Sequence, residues 1–408
     1  MPVPSVKRNA AILISTEFAT RFLMYFVVVA LMNYLGDDRY GQLAYLFAIA
    51  NLCIVGADFG IHTYVTRLLA KSYEQWLTQR AGIITLKLIG SAMAWLLTVT
   101  IVLPTSQLSP TIIVAGTLAI VLASGRMFSE AVARGRQQMQ LEGISKSVHI
   151  TIQAVALIIA LSVQATLTSI AIVYAGAAII GWLVSVWLVR QPLLHAQPAA
   201  SVPIRTIWLA VLPFAASVAI NAQFNYFDSA VLGWLHPKEV VAWYTAAYKP
   251  IFFLTALAGL IISAFFPRIV ELWTTQDRAG VRQALRRLLT IALAAGLPMA
   301  IIGSWLAPYL FAWLYAPEYA PGVIPFTILL WSTLGIFIWA PLGNTLQACG
   351  YEKLYTKNFI IGAALNLPLT IGLIWWYGMI GAAVATAITQ YSLCILMYRD
   401  VRKTIWSA

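Results

Sequence analysis

Asn221, Asn225, Asp228 and Lys249 lie inside two long apolar runs between Val211 and Arg268, joined by a short break at His236-Pro-Lys238. Each run can cross a bilayer, which takes about 20 residues of helix. A charge within such a span costs about 2.5–3.5 kcal/mol on insertion scales, so it marks a functional candidate. Asn221, Asn225 and Asp228 recur at helical spacing and form one stripe, which faces the bundle core or an aqueous cavity rather than lipid. Counted from a turn near Lys238-Glu239, Asp228 and Lys249 stand level, about 15 Å below the surface at 1.5 Å per residue. Side chains of this kind bind polar ligands or fasten helices.

A second constellation lies near the N-terminus. Glu17 and Arg21 share one helix face, and Asp58 and His62 share another. With a turn between Arg39 and Tyr40, Arg21 stands level with Asp58 and Glu17 with His62. Two readings stay open: salt bridges fastening the hairpin, or the polar wall of a central cavity. Arg126 and Glu130 sit close to Arg134 at a helix end, where snorkelling explains them, and Lys146 and Gln153 are similar. His149 reads as a hydrogen-bonded structural histidine. Asn344, Gln347, Asn358 and Asn366 read as interhelical glue. The sequence offers no phosphate-cradling glycine loop and no metal-ligand spacing, so no enzyme, cofactor or metal is expected. Asp37-Asp38 reads as turn chemistry, not as a catalytic pair.

These residues need apolar helices to hold them. The chain is 61% hydrophobic and 10% charged, against about 25% charged in soluble domains. The expected class is an all-α polytopic membrane protein. About twelve helices are read near 9–33, 40–66, 81–103, 111–133, 143–165, 168–189, 205–234, 240–267, 284–307, 322–348, 356–377 and 379–399. The net charge of +12 comes from basic residues gathered on one side of these helices, while the other side has only Arg39 and Lys238. The positive-inside rule then puts both termini in the cytoplasm and removes any need for nucleic acid. Cys53, Cys349 and Cys394 are far apart in apolar runs and give no disulfide framework.

The proline-rich seam divides the chain into an N-terminal six-helix lobe (1–190), a cytoplasmic linker (191–204) and a C-terminal six-helix lobe (205–408). Short matches recur in order. Tyr34–Tyr45 resembles Trp234–Thr245, Ala133–Gln138 resembles Ala348–Lys353, and Tyr174–Ala178 resembles Met379–Ala383. Six helices per half put both halves the same way up, a plan that places a substrate between them near the midplane.

Six stretches carry a family likeness: Leu35–Gly41, Ala57–Gly60, Phe227–Gly233, Tyr244–Lys249, Phe265–Arg268 and Leu314–Pro321. In this order they resemble the polysaccharide transporters, the O-antigen (Wzx-type) flippases. Their superfamily also holds the multidrug exporters of the MATE type and the peptidoglycan lipid flippase. The resemblance implies two six-helix lobes around a central cavity lined by helices 1, 2, 7 and 8. It implies alternating-access export of undecaprenyl-diphosphate-linked oligosaccharide from the cytoplasmic to the outer leaflet of a bacterial inner membrane. Arg21 and Lys249 would attract the diphosphate, and Asp58 and Asp228 would poise those cations. Asn221 and Asn225 would meet sugar hydroxyls, with Glu17 and His62 completing the cavity wall. Lys249 stands where similar flippases often carry Arg. Membrane lipids, a polysaccharide polymerase and chain-length machinery are the implied partners. Two other readings remain: a MATE-like exporter of small amphipathic solutes, and a membrane glycan polymerase or transferase, which would want a large outer loop.

Overall fold

The computed structural model describes the backbone of residues 6–194 and 202–406, with side chains from Phe22 onward except at positions 57, 194, 253, 256, 257 and 260. The elements are α1 (Val6–Asp58), α2 (Ile61–Lys71), α3 (Tyr73–Thr105), α4 (Pro110–Gly135), α5 (Met139–Ser162), α6 (Leu167–Leu188), α7 (Arg190–Leu194), α8 (Ile204–Leu235), α9 (Lys238–Thr274), α10 (Arg278–Leu314), α11 (Val323–Ala348) and α12 (Glu352–Val401). A 3-10 turn covers Pro317–Gly322 and a π turn covers Arg402–Trp406. No strand occurs among the described residues. The chain is an all-α multi-pass membrane protein.

Two of these helices are too long for one crossing. At 53 residues, α1 would run about 80 Å if straight. It breaks at Gly36 (φ 74°, ψ 173°), and α12 breaks at Gly378 (φ 55°, ψ −133°). A residue without Cβ takes such angles at little steric cost. Split there, the described residues supply about twelve passes, as expected from the sequence. Eight helices among the described residues are long and apolar enough to cross a bilayer, and the pair Phe22–Gly56 and Ile61–Lys71, bent by 46°, makes a ninth if it is one span.

The first turn falls at Gly36, not between Arg39 and Tyr40. Asp37 and Asp38 instead open the next helical pass, where acidic side chains sit favourably at the helix N-terminus. The Asp37 carboxylate accepts a 2.9 Å bond from the Asp38 N–H. Counted along helices from Gly36, Arg21 and Asp58 differ by about 10 Å in height, so the expected crosswise register does not follow from this turn.

By packing, the chain divides into two compact units: residues 1–35 with 42–230, and residues 36–41 with 231–408. The lobe boundary at 191–204 concerns the sequence repeat, which need not coincide with a packing boundary. Residues 195–201 of that seam lie outside the described residues. The first unit is sealed around Val65, Leu69, Trp76, Ile83, Val132, Ile207 and Val211. Its buried indole Trp76 donates to the Pro192 carbonyl at 3.1 Å. In the second unit Leu272, Val281, Leu285, Leu346 and Met397 form a core.

Candidate functional site

A buried polar cluster of the first unit forms where a helical pass bends. Phe59 (φ 34°) and Gly60 (φ 82°) interrupt it between α1 and α2. Gly60 lies so close to α8 that a Cβ there would come within 2.3 Å of Phe214 Cβ. The bend leaves Asp58 at the end of α1 and His62 at the start of α2. Lys87 from α3 donates to the Asp58 carboxylate and to Ser124 of α4. The Ser124 hydroxyl in turn donates to Asp58 Oδ1 at 2.7 Å. His62 Nε2 lies 3.4 Å from the same oxygen. Asp58 and Lys87 are both buried. Two charges withdrawn from water need each other and further hydrogen bonds, and Ser124 supplies one to each.

Lys87 is a functional candidate that sequence reasoning missed. The available signal was a lone cation inside the apolar run 81–103, the same signal that marked Lys249. The candidates Glu17 and Arg21 have side chains outside the described residues.

Arg126, Arg134 and Lys146 of this unit are paired with carboxylates. Arg126 binds Glu130, which also accepts from Ser145 at 3.0 Å. Arg134 grips Glu142 with Nε at 3.0 Å, and Lys146 reaches the same carboxylate at 3.2 Å. The expected snorkelling of Arg126 and Lys146 gives way because the carboxylates are buried, Glu130 to 3% and Glu142 to 1% exposure. A buried carboxylate holds its cation inside. His149 is structural as expected, with Nδ1 3.2 Å from the Ala177 carbonyl.

On α8, Asn225 Nδ2 donates to the Asn221 carbonyl at 2.7 Å and approaches its side-chain oxygen at 3.3 Å. Asn221 is exposed, Asn225 half-buried and Asp228 buried. Along α8 the three side chains thus pass from exposed to buried, and which surface the stripe faces stays an expectation. Lys249 belongs to the second unit, on α9, and is half-buried with no ion-pair partner among the described residues. Pro250 follows it. A proline inside a helix leaves the carbonyl four residues back without its donor, and the Tyr315 hydroxyl donates to that carbonyl, Ala246 O, at 3.1 Å. Asp228 falls in the first unit and Lys249 in the second, so their level pairing stays an expectation.

The turn 36–41 packs within the second unit. Gly41 abuts the Lys238 carbonyl so closely that a Cβ would come within 1.9 Å of the oxygen. No group of three metal-ligating side chains occurs among the described residues.

The family described as polysaccharide biosynthesis protein matches residues 6–273, and the MatE family matches residues 213–371. The Shigella dysenteriae protein called "Putative O-antigen transporter" is 24% identical over 199 residues, 47% of this chain and 47% of that protein, so the match spans about half its length. An uncharacterized membrane protein of Methanocaldococcus jannaschii is 21% identical over 395 residues, 92% of each chain. The solved lipid II flippase MurJ, in an inward closed conformation, superposes with a TM-score of 0.77 at 13% identity. That superposition covers 96% of this chain and 87% of MurJ, and at this identity it shows the fold. The chain belongs to the polysaccharide biosynthesis protein family.

Proposed function

We propose that this protein is a flippase that moves undecaprenyl-diphosphate-linked oligosaccharide from the cytoplasmic to the outer leaflet of a bacterial inner membrane, with both termini in the cytoplasm. The observation that carries the reading is Lys249. In the first unit, Lys87, Arg126, Arg134 and Lys146 each face a carboxylate. Lys249 has none among the described residues. A half-buried cation beside a proline-interrupted helix is poised for an anion that arrives from elsewhere, and a diphosphate supplies one. Arg21 would add a second cation. Asp228 would temper the attraction so that the headgroup leaves again, and Asp58 would act there only through its pair with Lys87, while Asn221 and Asn225 offer amides to sugar hydroxyls. Glu17 and His62 would extend the polar wall. The names of the matched relatives, an O-antigen transporter and a lipid II flippase, support a lipid-linked glycan as cargo.

The work is binding and passage, with no bond made or broken. A dianion leaving an inside-negative cell gains up to about 4.6 kcal/mol at 100 mV if no protein charge moves with it. The test is deletion in a cell that displays the glycan. Surface glycan should vanish while lipid-linked repeat units accumulate on the cytoplasmic leaflet. Unchanged surface glycan with raised sensitivity to cationic dyes would instead identify an exporter of small amphipathic solutes.

A further inference from the structure

The second unit carries an open cavity of about 430 Å³ among α9, α11 and α12, within the ~300–1,000 Å³ range of small-molecule sites. We propose that it docks uncharged pyranose rings of the transported glycan, an inference that rests on the flippase reading above.

The lining decides the class of ligand. Among the described residues, no Asp, Glu, Lys, Arg or His lines the cavity. An acidic sugar entering it would lose water without gaining a counter-charge, which is costly. The lining combines aromatic rings, Phe266, Trp339 and Tyr355, with the hydroxyl or amide groups of Thr255, Ser263 and Asn344. The Thr255 hydroxyl donates to the Phe252 carbonyl at 3.0 Å and Asn344 Nδ2 to the Ala340 carbonyl at 2.9 Å, which leaves their oxygens as acceptors. A neutral pyranose has the complementary surface: C–H faces for the rings, and hydroxyls that donate to those oxygens.

The aromatic wall is held in place before any ligand arrives. Trp339 Nε1 donates to Gln390 Oε1 at 2.7 Å. The Trp339 ring meets Phe359 edge-on with centroids 5.1 Å apart, and Phe359 packs on Tyr355 at 4.8 Å. Tyr355 lies against Gly343, where a Cβ would come within 2.8 Å of its ring. An indole fixed by its N–H and by a neighbouring ring loses little freedom when a sugar covers it. The α9 part of the lining, 255–267, lies in the half of that helix nearer Arg268. In the proposed orientation this is the cytoplasmic half, where the glycan is loaded.

The same cavity can be filled without disturbing its walls. Gly259 lines it, and a Cβ there would meet nothing within 4 Å. The experiment is saturation-transfer NMR on the full chain in lipid nanodiscs, with methyl α-glucoside, methyl N-acetyl-β-glucosaminide and methyl glucuronide as probes. At least one neutral glycoside should receive saturation, and the glucuronide about tenfold less. Gly259→Leu, and independently Trp339→Leu at the opposite wall, should each weaken neutral-sugar binding about tenfold. Gly372→Ala, outside the cavity and with nothing within 4 Å of the added Cβ, should bind sugar as the parent does. No transfer to either neutral glycoside, equal binding in Gly259→Leu and Trp339→Leu, or equal binding of the glucuronide would overturn the proposal. Surface glycan in the deletion strain reads the flippase assignment separately. Sugar binding at the cavity with surface glycan unchanged on deletion defeats the flippase reading alone. Glycan lost on deletion, with Gly259→Leu harmless to both binding and export, defeats the cavity proposal alone.

Discussion

The Trp243 indole donates a 2.9 Å hydrogen bond to Asp37 Oδ2 across 206 positions of sequence. It ties the turn after Gly36 to the first turns of α9, beside the close approach of Gly41 to Lys238. Hydrogen bonds to a charged group contribute about 1.5–3 kcal/mol. Trp243→Phe keeps the ring and deletes the donor, so it should lower stability by about that amount. Thermal unfolding of the detergent-solubilised protein reads the loss. A melting temperature unchanged from the parent would show that water replaces the indole without cost.

The Asp58–Lys87 pair makes a sharper demand. Lys87→Met strands a buried carboxylate, at about 3–5 kcal/mol, and should cut accumulation of folded protein. Asp58→Asn combined with Lys87→Met should restore most of it, because neither charge is then left alone. If the double variant accumulates no better than the single ones, the charges have partners beyond each other.

Lys249 is expected to behave differently. Lys249→Met should fold and accumulate normally, since no carboxylate among the described residues is stranded, yet fail to export glycan. Lys249→Arg should retain most activity, because charge more than fork geometry serves a solvated phosphate. The double variant Asp228→Asn with Lys249→Met should accumulate and remain inactive. Wild-type export from that double variant would remove Lys249 from the binding site and leave Arg21 as the cation to test.

Topology gives an independent check on orientation. Alkaline phosphatase fused after Arg136, Ala200 or Arg278 should stay inactive in the cytoplasm, and fusions near Asp38, Gln107 or Glu318 should be active outside. Activity at Ala200 would contradict the two-lobe plan.

The helices were legible because hydrophobic runs bounded by basic loops need no tertiary context. The hairpin break before Lys238 was legible for the same reason, since His236-Pro237 interrupts an apolar run. The first turn was misplaced because Asp37-Asp38-Arg39 reads equally well as a turn or as a helix start, and only the backbone angles of Gly36 choose between them. Lys87 escaped notice because its partners come from other helices: Asp58 is 29 positions away and Ser124 is 37. Spacing rules see neighbours three or four residues apart. The ion pairs Arg126–Glu130 and Glu142–Lys146 had that spacing, but burial decided that they turn inward. The Trp339 wall was equally invisible, because its indole is set by Gln390 51 positions later.

The tryptophans near the ends of the second unit's helices have a consequence for the membrane itself. Trp234, Trp313, Trp375 and Trp376 are 74%, 76%, 65% and 78% exposed, beside the turns that follow α8 and α10 and the Gly378 break. Indoles settle at the level of the lipid headgroups, so these rings pin one edge of the protein to a fixed depth. A bilayer of longer acyl chains would bury them or force the helices upright, each at a fraction of a kcal/mol per Å of mismatch. The protein is thereby matched to lipid of a particular length, and its turnover in vesicles should peak at one acyl-chain length and fall on either side.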